Sequence, residues 1–351
     1  MPDRTPLSEL WISARTVAIG LCGAVIGWAL SVPAAVLIGP ALAVTIASLL
    51  GLKTGVADWL RNTCMVALGL GIGAGFSTQA GDAILRWPLA FVVLTFMLIV
   101  TMFLCKQVLQ RSFGFDPRSA MLGAVPGHLS LVLGLAAESG VDVGRIALVQ
   151  TIRLLALSIV VPFAALAMGY ELQAGLLPVG VPSDGVHLVG LALVGVACGL
   201  VLQRVGLPAP MLLGPLLASS IGHLTDLTPG TPPSWMMIAG FLVLGALIGS
   251  RFSGMSMARF RAALLAGLVS TLIATGVAAL AAVPVAASLD MPVAHVLVAF
   301  APGGLETMVA LSAAMGASPG FVAACHIMRL LILGLLIALS LRRNRAQAKS
   351  G

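Results

Sequence analysis

Two arginines, one in each half of the chain, lie inside long apolar segments where a charge is costly. Arg153 follows Gln150 by three residues and Arg329 follows His326 by three, so each pair shares one helix face. An arginine at the centre of a membrane-spanning helix costs about 2.5–3.5 kcal/mol or more, and should therefore face a partner or water. Together the two guanidiniums could hold an anionic ligand, and a small carboxylate would suit their paired donors.

Each arginine belongs to one copy of a repeated motif. Residues 126–155 align without a gap with residues 302–331 at a shift of 176, and eleven of thirty positions are identical. Each copy has a Pro-Gly dipeptide, a glycine turn, and then an apolar helix that carries the arginine. Pro126-Gly127 and Pro302-Gly303 predict helix breaks, because proline lacks a backbone donor and glycine loosens the chain. Breaks at matching places in two halves of a membrane protein indicate a transporter's binding site.

The predicted substrate-binding site surrounds the two breaks and the two arginines. The half-helix after each break would direct a partially positive N-terminus at the membrane midplane. The copies differ after Pro-Gly, where His128 corresponds to Gly304, Ser130 to Glu306 and Leu131 to Thr307. No catalytic residue and no metal ligand are predicted. The predicted site residues are Pro126, Gly127, His128, Ser130, Gln150, Arg153, Pro302, Gly303, Gly304, Glu306, Thr307, His326 and Arg329.

Structural alternatives to a binding site stay open. Pro-Gly can be a kink that helps helices to pack. The arginines can be purely structural, with Arg329 paired to Glu306, and Arg153 to Ser130 or to carbonyl groups of the broken helix. Proton coupling is a further hypothesis, because Glu306 and His326 are the one titratable pair that the repeat would place together at membrane depth.

The composition predicts an all-α polytopic membrane protein. The chain is 59% hydrophobic and 9% charged, whereas soluble domains carry about 25% charged residues. The net charge of +7 is attributed to cytoplasmic loops rather than to a nucleic-acid partner. The five cysteines are isolated in apolar runs, which favours packing over a disulfide or a metal site. The expected partners are the lipid bilayer and a small-molecule solute, no cofactor is expected, and self-association is left open.

The duplication covers the whole fold, and positive charge decides the orientation of its halves. Residues 31–40 and 206–215 share five of ten positions. If each Pro-Gly segment enters the membrane and returns to the same side, the halves are inverted and sixteen of the nineteen Lys and Arg residues are cytoplasmic. If each segment crosses the membrane, the halves are parallel, and eleven Lys and Arg residues are cytoplasmic against six on the outer side. The positive-inside rule favours inversion. We therefore predict two inverted repeats of five transmembrane helices, each with one broken or re-entrant Pro-Gly segment.

This prediction divides the chain into five segments. Both termini are expected to be cytoplasmic in this multi-pass arrangement. The segments are a cytoplasmic N-terminal tail (1–15), membrane repeat 1 (16–170), a periplasmic linker (171–186), membrane repeat 2 (187–341) and a basic cytoplasmic tail (342–351).

The motif pair PGHLSLVLGLAAESG with QTIR, and PGGLETMVALSAAMGAS with HIMR, resembles the AbrB-duplication family of bacterial membrane proteins, roughly over 16–341. The resemblance implies an inner-membrane protein whose relatives carry labels of a transcriptional regulator or an ammonia monooxygenase. His128 departs from the doubled glycine of the second copy. A monooxygenase needs clustered metal ligands and a DNA-binding regulator needs a basic soluble module, and the sequence predicts neither.

These observations lead to two hypotheses of different classes. The first is a secondary transporter of a small, anionic solute that moves one bundle against the other around a midplane site. The second is a membrane-embedded sensor or regulator that affects gene expression indirectly through a partner. Oxygenase activity is disfavoured, and the chain is not expected to be an enzyme.

Overall fold

The computed structural model of the chain describes residues 6–75, 87–127, 129–170, 182–225, 227–228 and 230–350. In these ranges the structure is helical, with one isolated β-bridge between Pro182 and Thr231. The first half contains α1 (Pro6–Ala29), α2 (Ala35–Leu49), α3 (Asp58–Ala74), α4 (Trp87–Phe113), α5 (Pro117–Ala124), α6 (Leu129–Glu138) and α7 (Val143–Ala167). The second half contains α8 (Gly185–Arg204), α9 (Pro210–Leu224), α10 (Ser234–Ser250), α11 (Met257–Leu289), α12 (Val293–Phe300), α13 (Leu305–Ala314) and α14 (Pro319–Ser350).

The two halves contain the same series of helices. Helices α5, α6 and α7 begin at residues 117, 129 and 143, and α12, α13 and α14 begin at 293, 305 and 319, each 176 residues later. The short helices on either side of each Pro-Gly dipeptide have the same lengths, eight and ten residues, in both copies. The repeat in the sequence is therefore present as a repeated order of helices.

Six helices of the described ranges are long and apolar enough to cross a membrane, namely α1, α4, α7, α8, α11 and α14. Large apolar side chains on them are exposed, for example Leu272 at 73% and Leu280 at 77% on α11. An outward apolar surface on long helices is the surface that a lipid bilayer covers. The chain thus has the fold of a multi-pass helical membrane protein.

Four of the ten expected full spans are shorter than predicted. Helices α2 and α9 have 15 residues, and α3 and α10 have 17, whereas a straight span needs about 20. Helices α2 and α9 begin late because the residues before them turn: Ala34 and Ala209 have φ values of 51° and 47°. The predicted tails are helical in the described part, since α1 begins at Pro6 and α14 continues to Ser350.

The chain forms two compact units that do not coincide with its two halves. Unit 1 consists of residues Met1–Asp82, Leu154–Ala262 and Gly303–Gly320, and unit 2 of Ala83–Arg153, Ala263–Pro302 and Phe321–Gly351. Unit 1 therefore combines α1–α3 with their counterparts α8–α10. Unit 2 combines α4 and α5 with α12 and most of α11.

In unit 1, glycines allow helices from opposite halves to touch backbone to backbone. A Cβ at Gly69 or Gly73 of α3 would overlap the carbonyl oxygen of Leu212 or Leu216 of α9, respectively. The residue numbers rise together along both helices, so α3 and α9 run in the same direction. Small residues permit this close approach in membrane helices.

The equivalent contact recurs with the halves exchanged. A Cβ at Gly245 of α10 would overlap the Leu37 carbonyl oxygen of α2, and one at Gly249 would overlap that of Ala41. Gly245 and Gly249 are the repeat counterparts of Gly69 and Gly73. The third helix of each half therefore packs on the second helix of the other half.

Helices α3 and α10 are counterparts in the repeat, and they run antiparallel. Gly71 approaches Met237, whereas Gly240 approaches Leu68, so residue numbers rise along α10 as they fall along α3. The loop after α2 also meets the loop after α10, where the Thr54 amide donates to the Ser253 hydroxyl over 3.0 Å.

In unit 2, the first Pro-Gly segment is attached to a well-defined short helix. Asp116 caps the N-terminus of α5, because its carboxylate accepts hydrogen bonds of 3.0 Å from the amides of Arg118 and Ser119. Ala120 and Ala124 bury the inner face of α5 against side chains of α4, α7 and α11. This packing positions the carboxyl end of α5, where the helix break begins.

Candidate functional site

The first helix break lies between α5 and α6. Helix α5 ends at Ala124 and α6 begins at Leu129. Pro126 is buried, and Gly127 has a φ of 126°, a conformation that an L side chain rarely adopts. The predicted break is therefore present, and its backbone geometry depends on glycine. His128 lies outside the described residues.

The second break lies between α12 and α13, at the equivalent place. Helix α12 ends at Phe300 and α13 begins at Leu305, after the N-cap residue Gly304. Pro302 and Gly303 are buried, but Gly303 does not have a positive φ. The two breaks thus share a position in the repeat and differ in backbone conformation.

Arg153 reaches the carboxyl end of α5. Its side chain is buried, and its Nη1 donates to the carbonyl oxygen of Val125, the C-cap residue of α5, over 3.2 Å. One turn earlier on α7, Gln150 Nε2 donates to the carbonyl oxygen of Leu122 over 3.1 Å. Both side chains therefore lie on one face of α7, as their spacing predicts.

Arg329 repeats this contact in the other copy and extends it. Its Nη1 donates to the carbonyl oxygen of Ala301, the C-cap residue of α12 and the repeat counterpart of Val125, over 3.0 Å. Its Nη2 donates to the carbonyl oxygens of Ala299 and Phe300, each over 3.1 Å. A cation at a helix C-terminus is favourable because the helix dipole is negative there.

Pairing with carbonyl groups of the broken helix was the structural alternative to a ligand-binding role for Arg153. The structure shows such hydrogen bonds for Arg153 and also for Arg329. These bonds do not satisfy the two side chains, however. The Nε atoms of Arg153 and Arg329, Gln150 Oε1 and His326 Nε2 are all buried without a hydrogen-bond partner in the described ranges. His326 Nδ1 is 2.9 Å from the carbonyl oxygen of Val322 in its own helix.

The two arginines belong to one compact unit, and the charge of Arg153 acts on Arg329. Among the side chains that the structure describes, no carboxylate forms a salt bridge with either guanidinium. A buried cation without a counter-charge is strongly unfavourable. The arrangement can therefore accept an anion, since an anion would supply both the missing charge and the missing acceptors.

The remaining predicted residues lie elsewhere or outside the description. Glu306 and Thr307 belong to unit 1, and Arg251 and Arg61 are the charges that act on Glu306. Thr307 is buried. His326 belongs to unit 2, and the expected pairing of Glu306 with His326 stays a prediction. The side chain of Ser130 is not among those that the structure describes.

Comparison with known proteins places the chain in a family. Residues 36–344 match the family described as "Transition state regulatory protein AbrB". The chain belongs to the AbrB family. It is 25% identical to the "Putative regulator AbrB" of Escherichia coli (strain K12) over 310 residues, which are 86% of this chain and 87% of that protein. It is also 25% identical to the "Uncharacterized protein YhjN" of Bacillus subtilis (strain 168) over 355 residues, covering 94% and 91% of the two chains.

In this AbrB-family chain, sequence reasoning missed three polar residues that accompany Glu306. Arg61, Asn62 and Gln203 line the same pocket of unit 1 as Glu306. The repeat carries a signal that could have found all three, because their counterparts Met237, Ile238 and Trp28 are large apolar or aromatic residues. The described residues contain no cluster of three His, Cys, Asp or Glu side chains arranged to hold a metal ion.

Proposed function

We propose that this AbrB-family protein is a secondary transporter of a small anionic solute in the bacterial inner membrane. One observation carries the proposal: Arg153 and Arg329 are both buried in unit 2 and have no described carboxylate partner. Carbonyl oxygens offset part of the cost of burying the guanidiniums, but they do not neutralise the charge.

The chemistry of the two arginines favours an oxyanion. Each guanidinium retains an unpartnered Nε, and a carboxylate can accept two parallel hydrogen bonds from one guanidinium. The nearby Gln150 Oε1 and His326 Nε2 are also unpartnered in the described structure and could select a hydroxyl or amine group on the same solute. A small carboxylate therefore fits the available donors and acceptors.

The proposed transporter has inverted halves with both termini cytoplasmic. The antiparallel course of the counterparts α3 and α10 supports this arrangement, as does the contact of Thr54 with Ser253 between the loop after α2 and the loop after α10. Broken helices at matching places of inverted halves occur at the substrate sites of transporters. Transport would move one bundle of helices against the other around this site.

Reporter fusions test the orientation. A fusion within the linker 171–186 is expected to report the periplasm, and fusions at either terminus the cytoplasm. A linker on the cytoplasmic side would refute the inverted arrangement, because the halves would then be parallel.

Uptake into proteoliposomes tests the function. We expect accumulation of a small carboxylate driven by a pH or sodium gradient, and its loss in Arg153→Gln and Arg329→Gln. Arg259→Gln is the matched control, because Arg259 is exposed at the start of α11. Uptake that both buried variants retain while they stay folded would disprove the assigned site.

A second candidate function is a membrane-embedded sensor that affects gene expression indirectly. The family is named for a regulatory protein and the Escherichia coli relative is named a "Putative regulator", which favours this candidate. Binding of a solute to the purified protein, with no accumulation in proteoliposomes under any gradient, would support the sensor over the transporter.

A further inference from the structure

Unit 1 contains a pocket of about 350 Å³, and all the residues that line it belong to this unit. Its polar lining residues are Arg61 and Asn62 of α3, Gln203 of α8 and Glu306 of α13. The residues that line the pocket also include the apolar Met65 and Met211. Pockets of this size lie at the small end of those that bind ligands.

Glu306 enters this pocket without a protein partner. It makes no hydrogen bond or salt bridge in the described part of the chain, although Arg251 and Arg61 act on its charge. A carboxylate in such a site is available to a hydrogen-bond donor on a ligand.

Arg61 is held in place by its own helix. Its Nη1 lies 3.1 Å from an Asp58 carboxylate oxygen, and its Nε and Nη2 donate to Asn62 Oδ1 over 3.3 and 3.2 Å. Asp58 and Glu306 balance Arg61 and Arg251, so the four charges sum to zero. A wholly anionic ligand would be repelled by Glu306, and a wholly cationic ligand by Arg61.

The duplication supplies an internal comparison for this polar surface. The counterparts of Arg61, Gln203 and Arg251 are Met237, Trp28 and Gly75, at offsets of 176, 175 and 176 residues. The equivalent helices of the other half therefore form without polar side chains at these positions. The polar surface is an addition to one half, as expected of a binding site and not of a packing requirement.

We propose that this pocket binds a small zwitterion with one carboxylate, one ammonium group and an apolar side chain, of the size of an amino acid. The ammonium group pairs with Glu306, the carboxylate pairs with Arg61, and the apolar side chain lies against Met65 and Met211. The proposal does not depend on transport, since binding to purified protein suffices to test it.

Three probes of one shape test the proposal: leucine, isoamylamine, which lacks the carboxylate, and 4-methylpentanoate, which lacks the ammonium group. Calorimetry on the purified full chain in detergent is expected to show leucine binding about tenfold or more tighter than either analogue. Glu306→Gln should remove the preference for leucine over 4-methylpentanoate. Arg61→Gln should remove the preference for leucine over isoamylamine.

Two further variants serve as a control and as a second test of the pocket. Glu9→Gln changes a carboxylate that lines a different pocket of unit 1 and should bind leucine normally. Gln203→Ala, at an exposed position in the last turn of α8, should fold normally and weaken leucine binding even if Glu306→Gln does not fold. Equal binding of all three probes, no binding of leucine, or unchanged leucine binding in folded Glu306→Gln or in Gln203→Ala would overturn the proposal.

Discussion

Gly127, in the first helix break, lies against Arg329, which stands in the helix that follows the second break. A Cβ added at Gly127 would be 3.7 Å from Cδ of Arg329. The two copies of the motif, 176 residues apart in the chain, therefore meet inside unit 2. This contact places a glycine with a positive φ beside the side-chain stem of a buried arginine from the other copy.

Gly127→Ala is expected to destabilise the protein by about 1–3 kcal/mol, because a side chain at a φ of 126° is strained. Thermal unfolding in detergent measures the effect. Gly134→Ala is the control: Gly134 is exposed within α6, and its added Cβ would meet nothing within 4 Å. That variant should be neutral or slightly more stable, since alanine is the better helix former. Equal losses in both variants would contradict the account.

Arg329→Met is expected to lower stability more than Arg153→Met. Arg329 donates three hydrogen bonds to the end of α12, whereas Arg153 donates one to the end of α5. Each bond from a charged donor contributes about 1.5–3 kcal/mol, and each carbonyl left buried without a partner is unfavourable. The midpoints of thermal unfolding should therefore fall in the order wild type, Arg153→Met, Arg329→Met. The opposite order would show that the carbonyl contacts do not hold the breaks together.

Gly69→Ala and Gly245→Ala should destabilise the protein by similar amounts, about 1–3 kcal/mol each. The two glycines make the same contact in opposite halves, and an added Cβ would overlap a backbone carbonyl that cannot move aside as a side chain can. Gly276→Ala on α11, where the added Cβ would meet nothing within 4 Å, is the control and should not be destabilising. A large loss in only one of the paired variants would show that the two crossings are not equivalent.

Asp116→Ala should cost about 0.5–2 kcal/mol at neutral pH, because it removes the N-cap of α5. Asp184→Ala is the matched control, since Asp184 occupies the N-cap position of α8 without a side-chain capping bond. Thermal unfolding of the two variants beside the wild type should separate them.

The effect of Asp116 should also depend on pH. Hydrogen bonds from Ser119 hold the pKa of the Asp116 carboxyl below its usual range. A group with a lowered folded-state pKa stabilises the fold above its unfolded pKa, about 3.9 for aspartate, and loses this effect as the pH falls through the folded value. The difference between wild type and Asp116→Ala should therefore shrink below about pH 4. A difference that is constant down to acid pH would contradict the capping account.

The sequence alone was enough to predict the membrane class, the duplication and the position of the two breaks. These features are local or compositional: long apolar runs predict spans, and Pro-Gly in an apolar run predicts a break whatever surrounds it. The shared helix face of Gln150 and Arg153 also followed from spacing, because helical periodicity places residues three apart on one side.

Other features were decided by the tertiary structure. The lengths of α2 and α9 depend on turns at Ala34 and Ala209 that have no sequence signal, since alanine rarely takes a positive φ. The partners of Arg153 and Arg329 are backbone carbonyls, which every residue has, so side-chain identity could not name them. The pocket of Arg61, Gln203 and Glu306 joins three helices separated by more than a hundred residues. A sequence records which groups are present, whereas packing at this range depends on helix crossing geometry that only the folded chain defines.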